Sequence, residues 1–273
     1  MPADPLLPGP LWLVGCGNMG QAMLDGWIAA GVDPGHVTVI RPSGRDVGHA
    51  VRVLTEYPED EVPAIVLLAM KPYQLGAVAA GLAPILDPQT ILISILAGAE
   101  PKSLRQHFSA PRSIVAAMPN LPVRLGKGVV LLHSETDDAT ARAFVTGLMA
   151  SLGHAEWIDD AQLFHLAGDL TGAGPAFLFR FIQALSDAAE RRGLPHEQAT
   201  RLAAAMVEGA AALAVRSVEG PDQLARRVAS PGGTTQAGLA ILDENEALRD
   251  LVARTLEASH RRSLEMAAEA HTK

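Results

Sequence analysis

The chain has 273 residues, of which 48% are hydrophobic and 19% charged, so it can bury one large or two ordinary cores and is not a disordered chain. Its formal net charge of −8 argues against broad binding to nucleic acid, since phosphate backbones attract basic surfaces. The single cysteine, Cys16, excludes an intrachain disulfide and a metal site built from several cysteines. The sequence also shows no apolar run long enough to cross a bilayer and no basic, apolar leader. These features together predict a cytoplasmic protein without a metal or a membrane partner.

Short apolar segments alternate with helical segments over the first 158 residues. Six segments predict β-strands: residues 11–14, 36–40, 65–70, 90–95, 113–117 and 129–133. Residues 19–30 and 139–152 have helical spacing, and each segment is followed by a glycine, which commonly ends a helix. Apolar strands alternating with helices indicate a parallel sheet covered on both faces, so residues 1–158 are predicted to form a doubly wound, Rossmann-type α/β domain.

The remaining residues, 159–273, show no strand pattern and are predicted to form an all-α domain. Three alanine-rich segments have helical periodicity: residues 175–192, 195–218 and 245–270. Apolar residues cover wide arcs of these helices, and Glu208 is the only charged residue between Ala203 and Val215. Such helices need burial on more than one side. The domain is therefore either a monomeric bundle or, as we favour, a dimerisation domain.

A glycine-rich segment with the pattern G-x-G-x-x-G lies directly between the first predicted strand and the first predicted helix. In this position the pattern is the dinucleotide-binding fingerprint, in which glycines allow a tight turn and a close approach of the diphosphate to the helix N-terminus. A plain glycine-rich turn is the alternative. Cys16, inside the segment, is interpreted as a small side chain tolerated beside phosphates rather than as a reactive thiol. The predicted cofactor-binding residues here are Gly15, Gly17, Asn18, Met19 and Gly20.

The end of the second predicted strand carries Arg41, Ser43 and Arg45, where NAD-binding versions of this unit have an acidic residue for the ribose 2′-hydroxyl. Guanidinium and hydroxyl groups donate hydrogen bonds to phosphate. We therefore predict that Arg41 and Ser43 bind a 2′-phosphate, so that NADPH is preferred and NADH is used more weakly. The alternative is that these residues are only surface charges.

Three further strand ends carry small, proline or amide residues. Because open α/β sheets bind ligands beyond the carboxyl ends of their strands, these residues are predicted to line a cleft over the nicotinamide, although Lys71 could equally be a solvated lysine. They are Ala69, Met70, Lys71, Pro72, Ala97, Gly98, Met118, Pro119 and Asn120. Farther along, residues 230–236 predict a turn before a helix, in which Gly232 and Gly233 expose N–H groups to a carboxylate or simply cap the helix.

Together these motifs resemble the pyrroline-5-carboxylate reductase family, and the resemblance runs from the glycine loop through Leu242. Beyond the glycine loop, the family pattern is matched at residues 69–72, 94–98, 118–120, 172–176, 193–195 and, most specifically, 230–235. Four residues depart from those usual in the family: Ala116, Leu121, Ala173 and Phe177. These departures bear on substrate preference more than on reaction type.

The resemblance implies an oxidoreductase that reduces the cyclic imine 1-pyrroline-5-carboxylate to L-proline with NAD(P)H, the last step of proline biosynthesis. It also implies a homodimer with interleaved helical domains, often assembled further into a decamer. If the wide apolar helices of two chains intertwine, we expect the substrate loop of one chain to face the cofactor of the other. Ser230 and the N–H groups of Gly232, Gly233 and Thr234 are then expected to hold the substrate carboxylate. Thr235 is the expected catalytic residue, bonded to the ring nitrogen.

Three alternatives stay open. A β-hydroxyacid dehydrogenase also joins a dinucleotide domain to a helical domain, but that class has a lysine on the first long helix of its second domain, and residues 177–193 contain none. The others are a reductase of a related cyclic imine and a non-catalytic NADP-binding sensor.

Overall fold

The computed structural model describes residues 6–271. It divides into two compact units, of which the first extends to Gly172 and the second is Ala173–Met266. This division lies within a helix and after the proposed domain boundary at residue 158. None of the helices in the described part of the chain is both long and apolar enough to cross a membrane.

The first unit contains an eight-stranded sheet. Its strands are β1 (Leu11–Val14), β2 (Val37–Ile40), β3 (Arg52–Leu54), β4 (Ile65–Leu68), β5 (Ile91–Ser94), β6 (Ser113–Pro119), β7 (Gly128–His133) and β8 (Gly153–Trp157). They lie in the order β3-β2-β1-β4-β5-β6-β7-β8. The six predicted strands are present, and the two strands that were not predicted, β3 and β8, form the two edges.

Helices cover both faces of the sheet, as predicted for a doubly wound fold. They are α1 (Asn18–Ala29), α2 (Leu75–Leu82), α3 (Pro101–His107) and α4 (Ala139–Ala150). Successive strand residues point to opposite faces. In β1, Leu11 and Leu13 therefore belong to one buried cluster with α1 and α4, whereas Trp12 and Val14 belong to another with α2 and α3.

The sheet is not wholly parallel, which corrects the prediction. β7 runs antiparallel to β6, with Ala116 opposite His133. Only residues 120–127 connect the two strands, and within them a 3₁₀ helix, Leu121–Leu125, ends at Gly126 with φ of 63°. A parallel pair needs a crossover of about a dozen residues or more, so this connection permits only an antiparallel pair. α4 supplies such a crossover after β7, and β8 is parallel to β7.

Five helices follow β8 in the described chain, and no strand occurs among those residues. They are α5 (Ala161–Glu190), α6 (His196–Arg216), α7 (Pro221–Val228), α8 (Thr234–Asp243) and α9 (Ala247–His271). The first predicted helical segment of this part of the chain began at Pro175, on the basis of alanine-rich helical periodicity. In the structure Pro175 instead lies inside α5.

The carbonyl of Thr171 shows how α5 accommodates this proline. Proline has no N–H, so the carbonyl four residues earlier loses its helical donor. The side chain of Asn120 replaces it: Nδ2 donates to the Thr171 oxygen at 3.0 Å, and Oδ1 accepts from the Val129 N–H at 2.8 Å. Asn120 is only 7% exposed. Its amide therefore connects α5, at Thr171, to the β6–β7 connection.

We expect Asn120→Ala to lower the free energy of unfolding by about 1–3 kcal/mol, because it leaves the half-buried Thr171 carbonyl and Val129 N–H without this partner. In a Pro175→Ala background, alanine supplies an N–H to the Thr171 carbonyl, so the same change should cost measurably less. Denaturant unfolding of the four proteins of this cycle measures the coupling. Equal costs in both backgrounds would show that Asn120 does not compensate for Pro175.

Candidate functional site

The glycine loop connects β1 to α1 and passes very close to the end of β4. Gly15 has φ of 80°, and a Cβ at this position would lie 2.7 Å from the backbone nitrogen of Met70. At Gly20 a Cβ would lie 3.3 Å from the Cβ of Ala69. The Gly15 N–H donates to the carbonyl of Ile40 in β2 at 2.8 Å. Only glycine allows the loop to turn while it is fixed between these two strand ends.

The start of α1 suits an anionic group. Its N-cap residue, Gly17, has no side chain to accept the first N–H groups, and the first turn holds no acidic residue. These N–H groups have no acceptor within the helix, and they point toward an anion placed at its N-terminus. A Cβ at Gly17 would meet no atom within 4 Å, so the approach is open. The loop therefore fits the diphosphate of a dinucleotide.

A cleft of about 830 Å³ lies beside this loop, at the carboxyl ends of the central strands. It brings together ten of the predicted cofactor residues: Gly15, Gly17, Asn18, Met19, Gly20, Arg41, Ser43, Ala69, Met70 and Lys71. The order β2-β1-β4 makes this the point where the strand order reverses, which is where doubly wound sheets bind dinucleotides.

The cleft wall next to β2 carries the predicted 2′-phosphate donors. Arg41 and Ser43 both line the cleft, whereas Arg45 does not. The Arg41 N–H donates to the Leu54 carbonyl at 2.9 Å, which fixes this backbone to β3. Among the residues that the structure describes, the Arg41 guanidinium makes no ion pair, so it can accept a phosphate without losing a carboxylate partner.

The environment of Cys16 favours a neutral thiol. Burial raises the pKa of Cys16, and the nearby Asp25 carboxylate raises it further, while Arg41 lowers it less than burial raises it. A raised pKa keeps the thiol protonated near neutral pH. Its Sγ lies 3.6 Å from Oε1 of Gln21, within the range of a weak S–H hydrogen bond. These features support the interpretation of Cys16 as a small loop residue.

Six predicted cofactor residues do not line this cleft: Pro72, Ala97, Gly98, Met118, Pro119 and Asn120. Two of them contact α5 or its backbone instead. A Cβ at Gly168 would lie 2.6 Å from Sδ of Met118, and Asn120 holds the Thr171 carbonyl. Ala97 and Gly98 are exposed after β5. Contact between these residues and a cofactor stays a prediction.

Tyr57 is a cleft residue that the sequence analysis missed. It follows β3, lines the cleft together with Thr55, and stacks on Trp12 with ring centroids 6.1 Å apart. Burial raises the pKa of Tyr57, so its hydroxyl stays protonated at neutral pH. β3 has only three residues and was not predicted, so nothing in the local sequence placed Tyr57 beside the glycine loop.

The predicted substrate loop, residues 230–235, lies in the second unit: residues 230–233 come directly before α8, and Thr234 and Thr235 are the first two residues of that helix. Gly232 adopts φ of 70°, and its N–H donates to Oε1 of Gln236 at 2.7 Å. The Gly233 N–H donates to the Ser230 carbonyl at 2.9 Å. Gly233 is the N-cap residue of α8 and has no capping side chain, which leaves the first N–H groups of α8, beginning with that of Thr234, without an acceptor inside the helix. Two of the expected carboxylate donors are thus engaged within the loop.

Comparisons with known proteins agree with this geometry. A family model described as pyrroline-5-carboxylate reductase dimerisation matches residues 161–266, and one described as NADP oxidoreductase, coenzyme F420-dependent, matches residues 11–98. The pyrroline-5-carboxylate reductase of Pseudomonas aeruginosa is 34% identical over 93% of this chain and 95% of its own length.

Two solved structures extend the similarity to the fold. A pyrroline-5-carboxylate reductase from Coxiella burnetii matches with a TM-score of 0.86 and 30% identity, over 94% of this chain and 98% of the other. Plasmodium falciparum pyrroline carboxylate reductase with NADP bound matches with a TM-score of 0.79 and 26% identity, over 95% and 98% of the two chains. The chain belongs to the pyrroline-5-carboxylate reductase family.

Proposed function

We propose that this protein reduces 1-pyrroline-5-carboxylate to L-proline by hydride transfer from NAD(P)H, the last step of proline biosynthesis. The observation that carries the proposal is the segment at residues 230–235, which keeps every residue of the family motif and leads into α8, a helix whose first N–H groups have no side-chain cap. The reaction also needs a binding site for NAD(P)H, and the cleft beside the glycine loop of the first unit fits that cofactor. A cytoplasmic location is part of the proposal, supported by the single cysteine.

Hydride transfer to a cyclic imine asks little of protein side chains, because the cofactor supplies the chemistry. The chain must hold the substrate carboxylate, orient the imine carbon and stabilise the amine that forms. We assign the carboxylate to the Ser230 hydroxyl and the backbone N–H groups at the start of α8, beginning with Thr234. Gly232 joins them when the carboxylate displaces Gln236 Oε1 from its N–H. Thr235, exposed in the first turn, binds the ring nitrogen.

Gly233 has a different part in this proposal from the one expected. Its N–H already donates to the Ser230 carbonyl, and a Cβ at this position would collide with Ser230 Oγ. Glycine at this position therefore shapes the loop so that the Ser230 side chain can lie over the start of α8. Gly233 therefore contributes to carboxylate binding through the conformation of the loop and not through its own N–H.

The defining experiment measures NADPH oxidation with 1-pyrroline-5-carboxylate and, in parallel, with its six-membered homologue. Turnover of the five-membered imine is the expected result. Preference for the larger ring would assign a related cyclic imine, and cofactor binding without turnover of either would indicate a sensor. A β-hydroxyacid dehydrogenase is disfavoured by α5, which contains no lysine along Ala161–Glu190.

The second unit, in our proposal, functions as a homodimer. Among its described side chains, only Ser186, Ala199 and Ala203 are buried, which is too little for a core of its own. Large apolar side chains are exposed instead, such as Phe179 at 58% and Ile241 at 68%. We propose that a partner chain covers these faces, that dimers assemble further into a decamer, and that activity requires the dimer. Light scattering on the active enzyme tests this, and a fully active monomer of 28.6 kDa would contradict it.

The arginine at the end of β2 should decide between the two nicotinamide cofactors. We expect wild type to have a higher kcat/KM with NADPH than with NADH, and Arg41→Ala to lower the NADPH value about tenfold or more through loss of a charge-assisted hydrogen bond. Arg45→Ala is the matched control, since Arg45 is exposed and lies outside the cleft lining. Equal efficiency with NADPH and NADH in wild type would refute the preference.

The Thr235 hydroxyl separates catalysis from helix capping. If it binds the ring nitrogen, Thr235→Ala should lower kcat/KM about tenfold or more, with melting temperature and NADPH affinity nearly unchanged. Thr234→Ala is the control, because alanine keeps the backbone N–H assigned to Thr234. A Thr235→Ala enzyme that turns over like wild type but is less stable by about 1 kcal/mol would make this threonine a structural cap.

A further inference from the structure

The segment that carries Arg41 and Ser43 has an unusual backbone just beyond them. Gly48, His49 and Ala50 are successive residues in the left-handed region, with φ of 78°, 60° and 56°. Residues with a side chain rarely adopt this conformation, and it persists only where surrounding contacts fix it. The contacts that fix residues 41–50 therefore matter for the cleft wall that Arg41 and Ser43 form.

Two side chains on successive turns of α1 supply those contacts. Nε2 of Gln21 donates to the Val47 carbonyl at 3.0 Å and to Oδ1 of Asp25 at 2.8 Å. Nε2 of His49 lies 2.9 Å from the same Asp25 oxygen. Oε1 of Gln21 lies against the thiol of Cys16. One short network thus connects the glycine loop to the segment after β2.

Asp25 is charged in this network. Its partial burial raises its pKa, but the hydrogen bonds from Gln21 and His49 and the positive charge of Arg124, whose Nε lies 3.1 Å from Oδ2, together hold the pKa of Asp25 below its usual value. A carboxylate that accepts an N–H makes a shorter and stronger hydrogen bond than a neutral acceptor. Asp25 is therefore a strong anchor for the strained turn at His49.

We propose that Asp25, Gln21 and His49 form a positioning site. This site holds residues 41–50, which carry Arg41 and Ser43, in the conformation that binds the 2′-phosphate, and so sets the preference for NADPH over NADH. This inference rests on the proposed NADPH preference and names residues outside the cleft lining as its origin. The three residues act through Arg41 and Ser43. A segment ordered before the cofactor arrives does not lose conformational freedom on binding. NADH has no 2′-phosphate to contact this segment, so its affinity does not depend on whether the segment is ordered beforehand.

Calorimetric titration with NADP⁺ and with NAD⁺ tests the inference without relying on turnover. His49→Gly removes the contact with Asp25 while keeping a residue that adopts positive φ easily, so the fold is not strained. Gln21→Met keeps the length of the side chain and removes its donors. Each variant should raise the Kd for NADP⁺ about threefold to tenfold, as expected when a side-chain-rich segment must order on binding, and leave the Kd for NAD⁺ unchanged.

His154→Ala is the matched control. It removes a similar contact, in which His154 Nε2 lies 2.6 Å from Glu156, on the edge strand β8 at the end of the sheet opposite β3. It should leave the affinity for both cofactors unchanged.

The outcomes separate this inference from the proposal beneath it. Wild-type preference for NADP⁺ with unchanged ratios in both variants would overturn the positioning role and leave the preference standing. Equal weakening of NADP⁺ and NAD⁺, with a lower melting temperature, would show that the network is merely structural and would also overturn the role. Absence of any preference in wild type would overturn both.

Discussion

The close approach of Gly15 to the end of β4 is the constraint on which the organisation of the first unit's cleft depends. β2, β1 and β4 are parallel neighbours whose carboxyl ends meet at one edge of the sheet. A chain leaving β1 must turn there and begin a helix at once. With φ of 80° and less than 3 Å available to a Cβ, only glycine allows the turn. The N-terminus of α1 consequently lies at the strand ends, beside Arg41 and Lys71 in the same cleft.

Several residues that a motif assigns to a ligand already make hydrogen bonds within the protein itself. Each backbone N–H and each carbonyl needs a partner when it is buried. Pro175 leaves the Thr171 carbonyl without its helical donor, and the Asn120 amide is used to restore it. The exposed Gly232 N–H likewise already has a partner, because it donates to the side-chain oxygen of Gln236. In the proposed function, a substrate carboxylate at Gly232 would have to displace this neutral amide oxygen, and it would be the stronger acceptor because it is charged.

The sequence predicts what local pattern determines and misses what depends on distant partners. Six strands, the helix after the glycine loop and the all-α character of the last third follow from apolar periodicity and glycine stops. β3 was not predicted because it has only three residues. β8 was not predicted because it is an edge strand in which the exposed polar residues His154 and Glu156 interrupt the apolar pattern. The glycine loop and Arg41 line one cleft, and their binding of the cofactor stays a prediction, whereas Tyr57 could not be placed in that cleft without β3. The start of α5 was misplaced because a proline inside this helix is compensated by Asn120, which comes from a connection remote in sequence.

The two units are stabilised in different ways: the first by a core within one chain, and the second by contacts that its own described residues do not supply. The first unit buries two apolar clusters on either side of its sheet, so its cleft rests on a core within one chain. The second unit has almost no buried side chains in its described part, so its helices cannot offset their conformational entropy alone. The loop before α8 therefore depends on whatever covers the exposed faces of these helices. In the proposed dimer the partner chain provides that cover, so the helices that carry the substrate loop depend on assembly for their stability, whereas the cofactor cleft rests on the core of a single chain.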